Sequence, residues 1–302
     1  MPSVLVTRRL PASALALLRQ AADVDLAESE LDDTALVERV RGKDGIVCLL
    51  TDRMDAGVFD AAGPSLKVVA NVAVGYDNID VPAARARGIT VTNTPDVLTG
   101  AVADFTWALI LAITRRLSEG ERLIRQGGWK GWSLEFMLGT ELTGKQLGII
   151  GAGRIGRAVA AKAGAFGMRV VTSGAVSVDE LLATSDVVSL HVPLRPETRH
   201  LIDRKALARM KRTAYLINTA RGPVVDEEAL VWALQERLIA GAALDVFERE
   251  PLVHPGLLAL DSVLVVPHLG SATRETRTAM AELAVRNVIA VLEGRPALTA
   301  IL

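Results

Sequence analysis

The apolar positions of this chain fall into short unbroken runs, at 4–7, 46–50, 68–72 and 89–92, separated by stretches in which apolar residues recur at helical spacing. Continuous runs of this length between helices are the pattern of strands buried on both faces, which predicts a parallel sheet with helices packed against it. This is one small α/β domain. A second series, at 147–150, 169–172, 187–190, 214–217, 242–246 and 263–266, also alternates with helical stretches and predicts a larger sheet. Residues 104–117 read as a long apolar helix between the two series, and 273–292 as a final helix after the last strand. With both helices crossing between domains, the first domain is discontinuous, 1–93 plus 273–302, and the second spans 94–272. Ligand is expected in the crevice between two such α/β, Rossmann-like lobes.

Composition narrows the function classes. With 302 residues, half of them hydrophobic, the chain supplies core for two ordinary domains. A net charge of -1, with Lys and Arg spread along the sequence, provides no basic stripe to follow a nucleic acid. The single cysteine, Cys48, lies inside an apolar run and reads as core, in keeping with a reducing cytoplasm. Arg8-Arg9 ahead of an apolar stretch has the look of a twin-arginine export signal, but residues 4–7 already read as a buried strand and Pro11 opens a helix. No apolar run approaches the roughly 20 residues that cross a bilayer, so a membrane partner is not expected.

Three stretches carry candidate chemistry, each directly after a predicted strand: Asn218-Thr219-Ala220-Arg221-Gly222, Asp245-Val246-Phe247-Glu248-Arg249-Glu250-Pro251, and Pro267-His268-Leu269-Gly270. The carboxyl ends of parallel strands share one crevice, so Arg221, Glu250 and His268 can converge there. Taken singly, these residues read as a surface charge, a solvated carboxylate and a backbone-satisfied histidine. Placed after three successive strands, they form a carboxylate clamp and a proton donor steered by an acid. His191 also follows a strand and reads as structural or adjacent to a ribose, while His200 and His254 lie in polar loops. No Cys/His cluster has metal-ligand spacing.

Gly151-Ala152-Gly153-Arg154-Ile155-Gly156 follows the run at 147–150 and opens a helix, the context that a dinucleotide fingerprint requires. The first glycine permits a tight turn, the second admits the pyrophosphate, and the third lets helix and strand pack closely. The acidic residue expected some 20 positions on is missing, because Ser173, Gly174 and Ala175 follow the strand at 169–172. Without that carboxylate nothing repels the phosphate of NADP, so NADP or NAD is expected, with NADP favoured.

These motifs together resemble the D-2-hydroxyacid dehydrogenase family over nearly the whole chain. Four further stretches, Cys48-Leu49-Leu50-Thr51-Asp52, Val74-Gly75-Tyr76-Asp77-Asn78-Ile79-Asp80, Thr94-Pro95-Asp96-Val97-Leu98-Thr99 and Gly127-Gly128-Trp129-Lys130-Gly131-Trp132, are similar to its glyoxylate/hydroxypyruvate reductase branch. The resemblance implies a flavodoxin-like substrate domain beside an NAD(P)-binding Rossmann domain, and reduction of glyoxylate to glycolate and of hydroxypyruvate to D-glycerate. It further implies catalytic roles for Arg221, Glu250 and His268. Leu50, the backbone of Val74 and Gly75, and Trp132 would complete the substrate site. Trp132 would do so from a neighbouring subunit of a homodimer. The cofactor would be met by Gly151, Gly153, Arg154, Ile155, Gly156, Ser173, Val192, Thr198, Thr219, Ala220, Arg221, Asp245, His268 and Gly270, with Asp245 on the nicotinamide carboxamide. Members of the family usually carry a longer segment where this chain has only 173–177, which implies weaker cofactor binding. Two other readings share these residues: a dehydrogenase of another D-2-hydroxy acid, and a catalytically weak protein that senses the dinucleotide.

Overall fold

A computed structural model describes residues 1–301, which divide into two compact units, 1–98 with 272–301, and Thr99–Ser271. Thr94 to Leu98 therefore stay with the first unit, where the sequence placed the boundary at 93, and Ala272 joins it one residue before the expected return at 273.

In the first unit the chain alternates β1 (Ser3–Val6), α1 (Ala12–Arg19), β2 (Asp23–Leu26), α2 (Asp33–Arg39), β3 (Gly45–Cys48), α3 (Ala56–Ala62), β4 (Val68–Asn71), α4 (Val81–Ala86) and β5 (Thr90–Thr92). The strands form one parallel sheet in the order β2-β1-β3-β4-β5. Side chains alternate across it with the period of two that a strand imposes. Leu5, Ile46, Cys48 and Val69 pack with Phe59 and Leu36 on one face, whereas Val4, Val6, Val47 and Val68 pack with Leu15, Leu18, Ala284, Val285 and Val288 on the other. The helix near the end of the chain thus completes this core, from Ala281 to Leu292. β2 has no counterpart in the sequence reading, because its Asp-Val-Asp-Leu alternates charge with apolar residue as an edge strand does. Asp25 there pairs with Arg39 and Lys43.

The second unit runs α5 (Thr99–Thr114), α6 (Leu117–Arg125), β6 (Gln146–Ile150), α7 (Arg154–Lys162), β7 (Arg169–Thr172), α8 (Val178–Thr184), β8 (Val187–Leu190), α9 (Arg204–Arg209), β9 (Tyr215–Asn218), α10 (Glu227–Gln235), β10 (Gly241–Leu244), α11 (Pro255–Leu258) and β11 (Val263–Val265). Its six parallel strands are ordered β11-β10-β9-β8-β6-β7. Leu147, Ile149, Val187, Ile217 and Ala243 bury against Trp107, Ile110 and Val159, and the Trp107 indole N–H donates to the Val159 carbonyl at 3.0 Å. Ile150, Val188, Leu216 and Leu244 face Leu181, Leu207 and Leu230 on the opposite side. The helix expected at 104–117 is α5, which begins earlier, at Thr99, and ends at Thr114, because Arg116 turns left-handed (φ 55°) and its guanidinium binds Glu119; α6 follows as a further helix. The chain then returns to the first unit as α12 (Arg274–Leu292), capped by Thr273.

Helix starts follow local chemistry. Asp32, Asp55, Asp80, Ser177, Asp203 and Asp226 each accept the backbone N–H three residues on, a cap worth about 1 kcal/mol. Among the described residues no helix is long and apolar enough to cross a membrane, and no group of His, Cys, Asp or Glu could hold a metal ion.

Candidate active site

The sheet of the second unit reverses its winding between β6 and β8, so loops leaving the carboxyl ends of its strands open onto a common edge, where ligands of doubly wound sheets bind. β9, β10 and β11 are neighbours there, with Leu244 in register with both Asn218 and Val265. The three loops that follow them carry Arg221, Glu250 and His268.

His268 Nδ1 lies 2.9 Å from Glu250 Oε2, and the other oxygen of that carboxylate accepts the Phe247 N–H at 3.0 Å. A carboxylate only accepts, so the proton on this imidazole edge sits on Nδ1 and Nε2 is left as the outward-facing nitrogen. Burial pushes the Glu250 carboxyl up, but the hydrogen bond and charge of His268, the Phe247 N–H and the nearby Arg221 charge outweigh it and hold the group below its ordinary value. The acid therefore stays ionised beside the imidazole.

His268 itself is left-handed, with φ 52°, a conformation that non-glycine residues adopt only where the surroundings hold it. Asp245 supplies that hold. Its carbonyl accepts the His268 N–H at 2.9 Å, and its carboxylate accepts the N–H groups of Leu269 at 2.5 Å and Gly270 at 2.8 Å. Only 1% exposed, Asp245 has its pKa raised by burial, with the two N–H donors opposing. A role for this side chain in shaping the histidine turn was not part of the sequence reading.

Arg221 is placed by Asn218, a buried residue that the sequence reading passed over. The Asn218 amide accepts the Ala220 N–H at 3.0 Å and donates to the Arg221 carbonyl at 2.9 Å, an Asx turn directly off the strand. An Asn closing an apolar strand three residues before Arg221 was the available signal. Thr219 Oγ1 meets Thr106 Oγ1 at 3.0 Å, and one Arg221 guanidinium nitrogen donates to the Ala220 carbonyl. Gly222 then packs directly on the next loop: a Cβ there would lie 1.9 Å from the Phe247 carbonyl carbon.

The glycine-rich loop lies after β6. Gly151 has φ 99°, and a Cβ on it would meet the His191 carbonyl oxygen at 2.5 Å and Val192 at 2.9 Å, while one on Gly156 would fall 2.1 Å from the Gly151 oxygen. A Cβ on Gly153 would meet nothing within 4 Å. Gly153 also caps α7 without any side-chain hydrogen bond, so no cap side chain competes for the first N–H groups of this nine-residue helix. This cradle fits a dinucleotide pyrophosphate. Arg154 and Ile155 begin that helix, Ile155 with its side chain against the core.

The remaining named residues are distributed as follows. Ser173 Oγ accepts the Gly151 N–H at 3.1 Å. Thr198 binds the Pro193 carbonyl and the Arg195 N–H, closing the loop after Val192. His191 bonds Ser189 through Nε2, and its Nδ1 is sealed from solvent without a partner. His254 bonds Glu228 and the Gly256 N–H, and His200 lies 2.9 Å from Glu248. In the first unit, Leu50 follows β3, and the carbonyls of Val74 and Gly75 after β4 accept from Asn93 and Asn71, both at 2.8 Å. Trp132, in the segment after α6, is 80% exposed.

Comparison with known proteins identifies the family. Residues 107–270 match the model of the D-isomer specific 2-hydroxyacid dehydrogenase NAD-binding domain. A glyoxylate reductase of Thermofilum pendens is 51% identical over 97% of this chain and 92% of its own, and one of Pyrococcus furiosus is 46% identical over 97% and 93%. A crystal structure of a Thermus thermophilus protein superposes with a TM-score of 0.94 at 48% identity, covering 99% of this chain and 100% of that one. An NADPH-dependent glyoxylate/hydroxypyruvate reductase of Sinorhizobium meliloti, crystallised with NADP and malonate, superposes with a TM-score of 0.90 at 36% identity, covering 99% and 96%. A glycine cradle for a nicotinamide dinucleotide, an acid-steered histidine and near full-length kinship lead to one conclusion: the chain is an oxidoreductase belonging to the D-2-hydroxyacid dehydrogenase family, in its glyoxylate reductase branch.

Proposed function

We propose that this enzyme reduces small 2-oxo acids, glyoxylate to glycolate and hydroxypyruvate to D-glycerate, with His268 as general acid. The observation that carries the reading is the 2.9 Å contact between Glu250 and His268 Nδ1, which leaves Nε2 to serve the substrate. When bound, the reduced nicotinamide supplies a hydride to the carbonyl carbon. Arg221 holds the substrate carboxylate with its fork of donors and draws charge toward the neighbouring oxygen. As the carbonyl electron pair moves onto that oxygen, His268 Nε2 gives it a proton, and the ionised Glu250 stabilises the imidazolium from which the proton leaves. The backbone N–H groups of Val74 and Gly75, and the side chains of Leu50 and Trp132, are proposed substrate contacts on the strength of the family resemblance.

Gly151, Gly153, Arg154, Ile155 and Gly156 would hold the pyrophosphate. Val192, Thr198, Thr219, Ala220, Asp245 and Gly270 would flank the rest of the dinucleotide. We read the preferred coenzyme as NADPH, because no carboxylate stands between Thr172 and Ser177 to repel a 2′-phosphate. The alignment with the Thermofilum enzyme runs over 314 positions, more than the 302 residues here, which is in line with a shortened segment in this chain. A lone buried Cys48 suits a reducing compartment, and the cytoplasm is the proposed location.

Steady-state assays with glyoxylate, hydroxypyruvate and a panel of other 2-oxo acids, each against NADH and NADPH, test substrate and coenzyme together. His268→Ala is expected to lower kcat by roughly 10²- to 10⁴-fold while changing KM far less. Retained turnover in that variant would overturn the acid assignment. Coenzyme binding without turnover across the panel would instead favour a dinucleotide-sensing protein.

A further inference from the structure

We infer that Glu227, at the first position of α10, is a positioning residue that sets the Glu250 and His268 pair by clasping the loop that carries Glu250. The inference rests on the reductase reading of that pair.

Glu227 is 8% exposed, and its carboxylate accepts the Glu248 N–H at 2.8 Å, with the His254 N–H a second donor to it. Glu248 returns the contact, its own carboxylate accepting the Glu227 N–H at 3.2 Å. The two acidic side chains thus cross between helix start and loop. Glu250 lies between the two N–H groups that Glu227 takes. That loop forms no helix or named strand; it carries a bridge between Arg249 and Leu252, with the Leu252 N–H on the Arg249 carbonyl at 2.8 Å, and a 2.9 Å contact of Glu248 with His200, and Leu252 is 69% exposed.

The gripped peptide has a second neighbour. Gly222 approaches the Phe247–Glu248 peptide so closely that a Cβ would lie 1.9 Å from its carbonyl carbon and 2.5 Å from its nitrogen. The same peptide unit therefore has Glu227 on its N–H and the Arg221 loop against its face. Displacing it moves the acid that steers His268 and disturbs the loop of the guanidinium. Burial raises the Glu227 carboxyl, and the Glu248 charge adds to the rise. Two carboxylates facing each other away from water are costly unless hydrogen-bonded. Here they take up backbone donors of one functional loop, which gives the arrangement a purpose that an apolar contact could not supply.

The test is a cycle of Glu227→Ala and Glu227→Gln in the otherwise unaltered enzyme and in a Glu250→Gln background, with glyoxylate as substrate. Coenzyme affinity by fluorescence titration and thermal melting report on folding. Glu227→Ala is expected to lower kcat roughly 10- to 100-fold with coenzyme affinity within about twofold. Glu227→Gln, which keeps one acceptor oxygen, should fall between. In the Glu250→Gln background the same changes should cost less than about twofold, because the group they act through is already lost. Equal losses in both backgrounds, or kcat within twofold of the parent, would overturn the inference. Where Glu227→Ala does not fold, Glu227→Gln carries the same comparison. An unaltered enzyme that reduces no 2-oxo acid refutes the functional reading instead. The clasp is then read from amide hydrogen exchange of residues 247–254: faster exchange in Glu227→Gln supports it, and unchanged exchange overturns it.

Discussion

At His268 a left-handed backbone, an acid on Nδ1 and a turn whose next two N–H groups are tied to Asp245 are combined in five residues, and the histidine's usefulness comes from that combination. A second histidine shows the opposite design. His191 is intermediate in overall exposure, yet its Nδ1 is sealed from solvent, and burial lowers its pKa from 6.5 to about 4. Between those two values the unfolded chain binds a proton that the folded protein refuses. Stability therefore falls as pH drops through this window, by up to about 3 kcal/mol, and this contribution stops changing below about pH 4. Urea midpoints measured from pH 7 to pH 4 should show the decline, and His191→Gln should flatten it. An equally steep decline in the variant would assign it to other groups. His191, His200, His254 and His268 are indistinguishable as residue types in the sequence. What separated His268 was its place after the third of three adjacent strands, together with Glu250.

Elements were legible where their signal is local. Continuous apolar runs gave ten of the strands to within a residue or two, because a strand buried on both faces needs apolar residues at every position. β2 escaped because its Asp and apolar residues alternate instead of forming an unbroken apolar run, and α6 escaped because a left-handed residue followed by an ion pair leaves no trace in periodicity. The glycine loop offers a sharp test at this scale. Gly156→Ala places a Cβ 2.1 Å from a backbone oxygen, and should destabilise by roughly 1–3 kcal/mol or more, read as a lower denaturation midpoint. Gly153→Ala meets no atom within 4 Å and should cost less than about 1 kcal/mol. It should nevertheless weaken coenzyme binding by tenfold or more in a fluorescence titration, because its methyl group points into the phosphate approach. Unchanged affinity in Gly153→Ala would remove the pyrophosphate from this cradle.

For the molecule as a whole, α6 and the segment after it expose apolar side chains that a lone chain leaves uncovered: Leu117, Ile124, Trp129, Trp132, Leu134 and Leu138. Exposed apolar patches of this kind are characteristic of interfaces, and we propose that a second copy of the chain covers this one. Sedimentation equilibrium should return twice the 32.1 kDa chain mass, and Trp132→Asp with Leu134→Asp should shift it to the monomer. A monomeric parent protein would dismiss the proposal. The sequence by itself determined the alternation of strand and helix, the return of the last helix to the first domain, the glycine cradle and the three loops that carry Arg221, Glu250 and His268. All of these depend on spacing and residue type, which a chain displays without folding. Only tertiary structure decided that Asp245 binds the histidine turn, that Asn218 sets the arginine loop, and that Glu227 reaches the loop of Glu250. Those contacts join strands and helices through single side chains, and what a polar side chain does there is fixed by which backbone N–H groups the fold brings within about 3 Å of it.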